Sequence, residues 1–364
     1  MALTTTTQID GPVNRIFQTT LLRNAKAACP YFAGTTPAEI RQQGGTFTAV
    51  WRRIENLTPT TTALAELTGA VAFPTRTGSQ PTVTDTTATV SKYGDFIYLN
   101  EEVDLKNFNG QADKLAEILG IQAGRSLNRL QRNVAEDSLT AFLTGSATTA
   151  ADIGGSPTAS GFIKRSEIAA VTNTLDRNDA SIFRSQTLGS TNIGTSPIRS
   201  SYIGIVHPDT AEDLRTLTGF NSVETYAGQT ETWPYEFGAT PGVRWISTTE
   251  STIDTTTGMA ATASATTSGR STATRFDVYN SVVYGQDCLG SLGFGFEHIQ
   301  EIYKAGDKLP GVQMISHPRG SAGAADPLNE LSSTGWKTWH AGVVLNTGWG
   351  RVYRHSASVL DSNE

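Results

Sequence analysis

The 364 residues of the chain allow two or three domains of ordinary size. Charged residues make up only 17% of the sequence, while glycine and threonine are abundant, which disfavours a coiled coil or an all-helical bundle. The net charge of −6 is unlike that of proteins whose main role is to grip nucleic acid.

The two cysteines, Cys29 and Cys288, match no metal or redox spacing. We expect them to form no disulfide, as is usual in a reducing compartment. The first ten residues are polar and show no export signal, and no apolar run is long enough to span a membrane. These features predict a soluble chain that stays in the compartment where it is made.

Residues 1–45 are predicted to form an arm, with a helix-compatible piece at 15–28. Side chains then alternate between two faces over 46–54, which predicts a strand, and a second strand-like run covers 82–99. Together, 46–99 form a predicted long hairpin with little apolar surface of its own. Because a two-stranded hairpin is marginal in water, it needs a partner to lie on.

Residues 111–144 show the clearest helical pattern in the chain. Leu119, Ala123 and Leu127 fall on one stripe, and Gly145 stands where a C-cap glycine belongs. Such a helix would be a rod roughly 50 Å long.

The next part of the chain alternates strand and helix patterns, which predicts a compact α/β region. One helix is predicted to begin at Ser166, and a second at Asp209, where Asp209 and Glu212 have capping-box spacing. The C-terminal 334–353 alternates again and is predicted to close the fold as one or two strands. A buried strand is predicted at 202–206, and further strands at 242–246 and 277–284. A linker is predicted at 146–163, a second Ser/Thr/Gly-rich stretch follows at 185–200, and an exposed, mobile loop is predicted at 248–275.

Catalytic motifs are absent from the sequence. It contains no nucleophile elbow, phosphate-binding loop or dinucleotide fingerprint. The most tempting histidine, His207, is better explained as a strand-end residue beside a helix cap, and the pairs Glu101–Glu102 and Glu136–Asp137 as solvated faces. We therefore predict no enzymatic activity, no cofactor and no metal site.

Several short segments, taken in chain order, carry a resemblance to a known family. They are 44–48 with Trp51–Arg53, 86–95, 207–215, 242–244, and 325–329 followed by 335–337. In this order they resemble the major capsid proteins of tailed bacteriophages with the Hong Kong 97 phage fold, in particular the N4-like podovirus branch.

This resemblance implies an α+β fold with an N-terminal arm, an extended β-hairpin loop, a peripheral domain with a long spine helix, and an α/β axial domain. The implied boundaries are 1–45 for the arm, 46–99 for the extended loop, 100–164 for the peripheral domain with its spine helix at 111–144, 165–324 for mainly the axial domain, and 325–364 for the return to the peripheral domain.

The resemblance also implies a function and a set of partners. The chain would self-assemble into hexamers and pentamers of an icosahedral shell, in the bacterial cytoplasm, and would remain in the virion capsid. A portal protein and possible separate scaffolding and cement proteins would be further partners. Packaged double-stranded DNA would be touched only weakly and non-specifically, which suits a net acidic wall, and no membrane is involved.

The hairpin carries the residues that we expect at an assembly interface. Arg52 and Arg53 point to opposite faces of their predicted strand, so at most one can face a given neighbour. We expect that arginine to meet an acidic partner on the next subunit's spine helix, near Glu117 or Glu136.

Two other classes remain as alternatives. The Thr, Ser and Gly content also suits a secreted β-rich adhesin or lectin, which the missing export signal and the long helix disfavour. A hydrolase would need a catalytic set that the sequence does not contain.

Overall fold

A computed structural model gives the fold of most of the chain. It describes residues 29–40, 46–63, 78–102, 111–154, 161–183, 200–226, 232–261, 269–272, 274–294, 311–321 and 326–359. The predicted helical piece at 15–28 and nearly all of the 185–200 stretch lie outside these residues.

Many strands and few helices make up the described residues, which confirms the predicted α+β class. The helices are α1 (Gln111–Ser138), α2 (Arg165–Arg177) and α3 (Pro208–Arg215), and 3-10 turns occupy Pro30–Phe32, Ala150–Asp152, Val223–Thr225 and Thr347–Trp349. The strands are β1 (Thr36–Ile40), β2 (Thr48–Ile54), β3 (Val83–Thr89), β4 (Ser91–Asn100), β5 (Thr140–Leu143), β6 (Tyr202–Val206), β7 (Asn221–Ser222), β8 (Glu236–Thr240), β9 (Val243–Ser247), β10 (Ile253–Asp254), β11 (Ser271–Thr272), β12 (Arg275–Phe276), β13 (Val278–Tyr284), β14 (Leu289–Phe294), β15 (Val312–His317), β16 (Leu331–Val344) and β17 (Gly350–His355).

The long strand β16 organises a five-stranded sheet. One edge of β16 pairs antiparallel with β4, and the other pairs first with β15 and then with β14. Strand β1 extends the sheet by pairing parallel to β14. Because β16 has 14 residues, more than twice the usual strand length, it can join three neighbours in one sheet.

Helix α1 lies across one face of this five-stranded sheet. Its buried side chains Leu119, Ala123 and Leu127 pack against Trp336 of β16. The indole Nε1 of Trp336 also donates a hydrogen bond to Gln122 Oε1 at 3.2 Å. The predicted apolar stripe is therefore the packed face of the helix.

A second, eight-stranded sheet has the order β5-β17-β13-β6-β9-β8-β7, with β10 also paired to β13. Every residue of β6 and β13 is buried, which confirms the predicted buried strand at 202–206. Ile168 and Leu175 of α2 pack on one face with Trp245, and Ala135 near the end of α1 packs on the other with Ile203. Coverage on both faces explains the nearly continuous apolar runs of these strands.

Helix α1 ends at Ser138 and not at the predicted residue 144. The next residues form β5, which pairs parallel with β17. The pairing partner is more than 200 residues away in sequence, so local periodicity could not reveal it. Gly145 has a left-handed φ of 62°, but it turns the chain after β5, and its N–H donates to Glu167 Oε1 at 2.7 Å.

The hairpin is also shorter than the predicted 46–99. Only β2 and β3 pair with each other, with Trp51 opposite Thr86. From Ser91 onward the chain leaves the hairpin, because β4 pairs with β16 over its whole length. The alternation of side chains continues through Val90, and no turn signal marks the point where pairing with β2 ends and pairing with β16 begins. The sequence pattern therefore could not show this change of pairing partner.

The 248–275 segment is not simply an exposed loop. Thr248, Glu250 and Ser251 are buried, and β10 adds to the eight-stranded sheet beside β13. The Ala261 N–H donates to the Thr274 carbonyl at 2.8 Å. Short polar side chains here are satisfied by internal hydrogen bonds, which lets a Thr/Ser-rich segment pack.

The two sheets do not follow the sequence boundaries that we expected. Within 325–364, β16 lies in the five-stranded sheet, whereas β17 pairs with β13 and β5 in the eight-stranded sheet. Strands β14 and β15, from the predicted axial range, lie in the five-stranded sheet. The chain therefore crosses between the sheets several times, and no single boundary at 325 separates them.

Candidate assembly surface

The base of the hairpin is fixed to the five-stranded sheet on the face opposite α1. The ring of Phe47 stacks on Trp339 of β16, with centroids 5.5 Å apart and planes 19° from parallel. Ala88 and Val90 are buried against Leu292 of β14. This set of apolar contacts at the base gives the hairpin a fixed direction relative to the sheet, because large aromatic contacts are among the strongest packing interactions.

The rest of the hairpin exposes apolar side chains. Val50, Ile54, Leu57 and Val83 are all exposed, and Ile54, the most exposed, keeps 66% of its surface accessible. Ile54 and Val83 stand opposite each other at the last pair of the β2–β3 ladder. Exposed apolar side chains gathered on one element mark a surface that binds a partner.

Both predicted interface arginines already have partners within the hairpin. Arg52 donates from Nε and Nη2 to the two carboxylate oxygens of Asp85, each at 2.9 Å. This bidentate pair lowers the pKa of Asp85. Arg53 donates to Glu55 Oε1 from Nε at 2.9 Å, and Thr84 Oγ1 donates to the same oxygen. The structure also shows the predicted alternation, with Arg52 exposed and Arg53 half-buried.

The two predicted acidic partners lie in different surroundings on α1. Glu117 is exposed, next to Ile118, which exposes 57% of its surface. Glu136 is half-buried and accepts a hydrogen bond from Asn280 Nδ2 of β13 at 3.1 Å, so it is not on a solvated face as expected. Burial raises the pKa of Glu136 despite that hydrogen bond. Within the described part of one chain, neither glutamate forms an ion pair with either arginine.

A second exposed apolar surface, which the sequence analysis missed, lies on the uncovered part of the five-stranded sheet. Phe96 and Tyr98 of β4 are both exposed and meet edge to face with centroids 5.0 Å apart. With Ile315 and Lys337 they line an open groove of about 530 Å³. The sequence has these two aromatic residues two positions apart, which places both on one face of a strand. Only the pairing of β4 with β16 shows which sheet that face belongs to.

His207, the most tempting catalytic candidate, caps a helix. Its Nδ1 accepts a hydrogen bond from the Asp209 N–H at 3.2 Å, at the start of α3, so the cap lies two residues before the predicted one. Asp209 Oδ2 accepts a hydrogen bond from the Tyr279 hydroxyl at 2.9 Å, and Arg270 Nη1 lies 3.4 Å from Oδ1. These contacts occupy the carboxylate and support the structural interpretation of His207.

The described residues offer little else for chemistry. They include no group of three or more His, Cys, Asp and Glu side chains that could hold a metal ion. Of the helices they contain, none combines the length and apolar character that a membrane crossing requires. Cys29 and Cys288 are not bonded to each other in the structure, and burial raises the pKa of each thiol to about 12.

Comparison with known proteins identifies the fold. No protein-family model and no curated protein matches the sequence. Among solved structures, the capsid of Ralstonia phage GP4 matches with a TM-score of 0.56 and 9% identity over 93% of each chain. The capsid structure of the cyanophage P-SCSP1u matches with a TM-score of 0.50 and 12% identity, covering 88% of this chain and 85% of that one.

These similarities extend over nearly the whole chain. They confirm the predicted fold, which is the Hong Kong 97-type fold of phage capsid subunits. At 9% and 12% identity they establish the fold alone. The N4-like branch stays a prediction.

Proposed function

We propose that the chain is the major capsid protein of a tailed bacteriophage, which self-assembles into an icosahedral shell around double-stranded DNA. The similarity of fold to the phage GP4 capsid supports this function. The observation that carries it is the hairpin, whose base is anchored by the Phe47–Trp339 stack while its apolar side chains remain exposed. A closed shell forms when such a surface repeatedly meets a different surface of the next copy.

The parts of the chain have corresponding roles in this proposal. The five-stranded sheet with α1 forms the peripheral domain, the eight-stranded sheet with α2 and α3 forms the axial domain, and residues 1–45 form the arm. The role is structural and not enzymatic. The portal protein, and separate scaffolding or cement proteins, are further proposed partners in the bacterial cytoplasm, where the virion capsid is assembled.

At the proposed contact the hairpin crosses a neighbouring copy. The ion pair with Asp85 uses Nε and Nη2 of Arg52, so Nη1 of Arg52 is left for a carboxylate on that neighbour. Of the two glutamates predicted as partners, Glu117 has the accessible position, since Glu136 is occupied by Asn280. The exposed Ile118 beside Glu117 supplies apolar surface for Val50 or Ile54 of the hairpin.

Sedimentation velocity of the purified full chain tests the function. We expect megadalton particles in equilibrium with small capsomers or subunits, and shells of uniform diameter in electron micrographs. A chain that stays monomeric at every concentration, alone and with a co-expressed scaffolding protein, would contradict the proposal. The alternative of a secreted adhesin or lectin predicts that monomer, together with binding to a glycan array.

A further inference from the structure

Three arginines form a stripe on α1 that the assembly surface does not use. Arg125, Arg129 and Arg132 follow one another at spacings of four and three residues, so they lie on one face of the helix over about 10.5 Å. Arg125 and Arg129 expose 52% and 54% of their side chains. We call these three residues the arginine stripe.

A single glutamate holds the arginine stripe in place. Glu250 follows β9 and has only 6% of its side chain exposed. Its Oε1 accepts a hydrogen bond from Arg125 Nε at 2.5 Å, its Oε2 accepts one from Arg129 Nε, and its backbone carbonyl accepts one from Arg132 Nη1 at 2.6 Å. Burial alone would raise the pKa of Glu250, but the hydrogen bonds from Arg129 and Arg125 outweigh it and lower the pKa, so the carboxylate stays ionised.

The positive charge of this cluster exceeds the negative charge. The guanidinium groups of Arg125 and Arg129 contact the one carboxylate of Glu250, and that of Arg132 donates to its backbone carbonyl. Glu136 also interacts electrostatically with Arg132, so three positive groups stand against two acidic ones. The bonds to Glu250 use only the Nε atoms of Arg125 and Arg129, which leaves their terminal Nη groups for another acceptor. A local excess of positive charge is unusual in a chain of net charge −6.

An open cleft of about 690 Å³ adjoins the arginine stripe. It lies between α1 and the carboxyl ends of the parallel strands β6 and β9, the side of an α/β sheet where ligands commonly bind. Tyr235 lines the cleft with 56% of its surface exposed and a left-handed φ of 63°. Such a conformation is strained for a residue other than glycine, and residues of this kind cluster at functional sites.

We propose that the arginine stripe and Tyr235 bind the phosphate backbone of duplex DNA. The proposal deepens the proposed function, because it names the face of the subunit that meets the enclosed genome. Because the guanidinium groups of Arg125 and Arg129 converge on the two carboxylate oxygens of Glu250, they form one compact cationic patch at which neighbouring phosphates of a strand can bind. Arginine and tyrosine side chains are common donors to phosphate oxygens, and such contacts do not depend on base sequence. Confining them to one patch of an acidic subunit keeps the contact weak.

The test measures DNA binding by unassembled full-length subunits, using fluorescence anisotropy of a labelled random-sequence duplex at increasing salt. The variant R125Q/R129Q removes two phosphate contacts and should lower the log–log salt slope by about 1.8. At low salt it should weaken binding roughly tenfold or more. The matched control R177Q/R215Q changes the net charge equally at two exposed arginines outside the stripe and should bind as the wild type does.

A third variant changes the charge in the opposite direction. E250Q removes the carboxylate beside the stripe and should bind DNA several-fold more tightly than the wild type. If this variant does not fold, the R125Q/R129Q comparison still decides the matter. The proposal is overturned if wild-type subunits bind no DNA at low salt, or if R125Q/R129Q and the control bind alike. Shell assembly is measured separately. If R125Q/R129Q forms particles normally and binds DNA as the wild type does, this inference is refuted and the proposed function is left intact.

Discussion

His340 of β16 lies beneath α1, almost fully buried and with its ring 5.6 Å from that of Phe32. Burial lowers its pKa to about 4. His355 is also buried, with Nε2 2.7 Å from Ser281 Oγ, and burial lowers its pKa as well. Since an unfolded histidine titrates near 6.5, the folded chain binds fewer protons than the unfolded chain below that pH.

Subunit stability should therefore fall as pH decreases. The loss due to His340 begins near pH 6.5 and is complete near its folded pKa of about 4, where it amounts to about 3 kcal/mol. Replacing His340 with Phe removes this titration, so the free energy of unfolding should depend less steeply on pH. Urea unfolding of unassembled subunits at several pH values measures the difference.

The exposed His317 of β15 provides the matched control for this prediction. The H317Q variant should keep the wild-type pH dependence, because its side chain is in solvent. An H340F variant that loses stability with acid as steeply as the wild type would show that His340 does not cause the effect.

At the scale of elements, the sequence predicted what local periodicity controls. The stripe of α1 and the buried strand β6 are confirmed, since their side chains repeat with the period of their own element. The predicted ends of α1 and of the hairpin were wrong. The residues that adjoin these ends pair with β17 and β16, and both strands are more than 200 residues away in sequence. The groove at Phe96 and the arginine stripe on Glu250 were not predictable for the same reason: their members meet only in the folded chain.

The hairpin prediction concerns Arg52 and Arg53. R52E/R53E should give subunits that fold normally by circular dichroism but do not sediment as particles, because a glutamate would then face the neighbour's carboxylate. Like charges placed opposite each other at an interface oppose association, and the effect is repeated at every copy.

The pairs within the hairpin require a control, because R52E/R53E also places glutamates beside Asp85 and Glu55. The exchange R52D/D85R restores a cross-strand pair with the same net charge, so it separates folding of the hairpin from contact with the neighbour. We expect the exchange to fold and to assemble better than R52E/R53E. Normal particle yield from R52E/R53E would mean that the hairpin is not the contact between subunits.

At the scale of the whole molecule, α1 connects the two sheets. Its middle packs on the five-stranded sheet through Leu119 and Leu127, and its end packs on the eight-stranded sheet through Ala135, joined there by Leu139 just after the helix. The ion pairs of the arginine stripe with Glu250 add a third attachment. This arrangement favours a body that moves as one unit, with the hairpin extending from it as the part available to a neighbour.

A cryo-electron microscopy reconstruction of particles assembled from the full chain tests the central claim most directly. The account predicts a closed icosahedral shell in which residues 46–63 and 78–90 of each copy lie across a neighbouring copy, with Val50 and Ile54 buried at the contact. A shell in which this hairpin touches only its own subunit, or a preparation in which no shell forms, would contradict it.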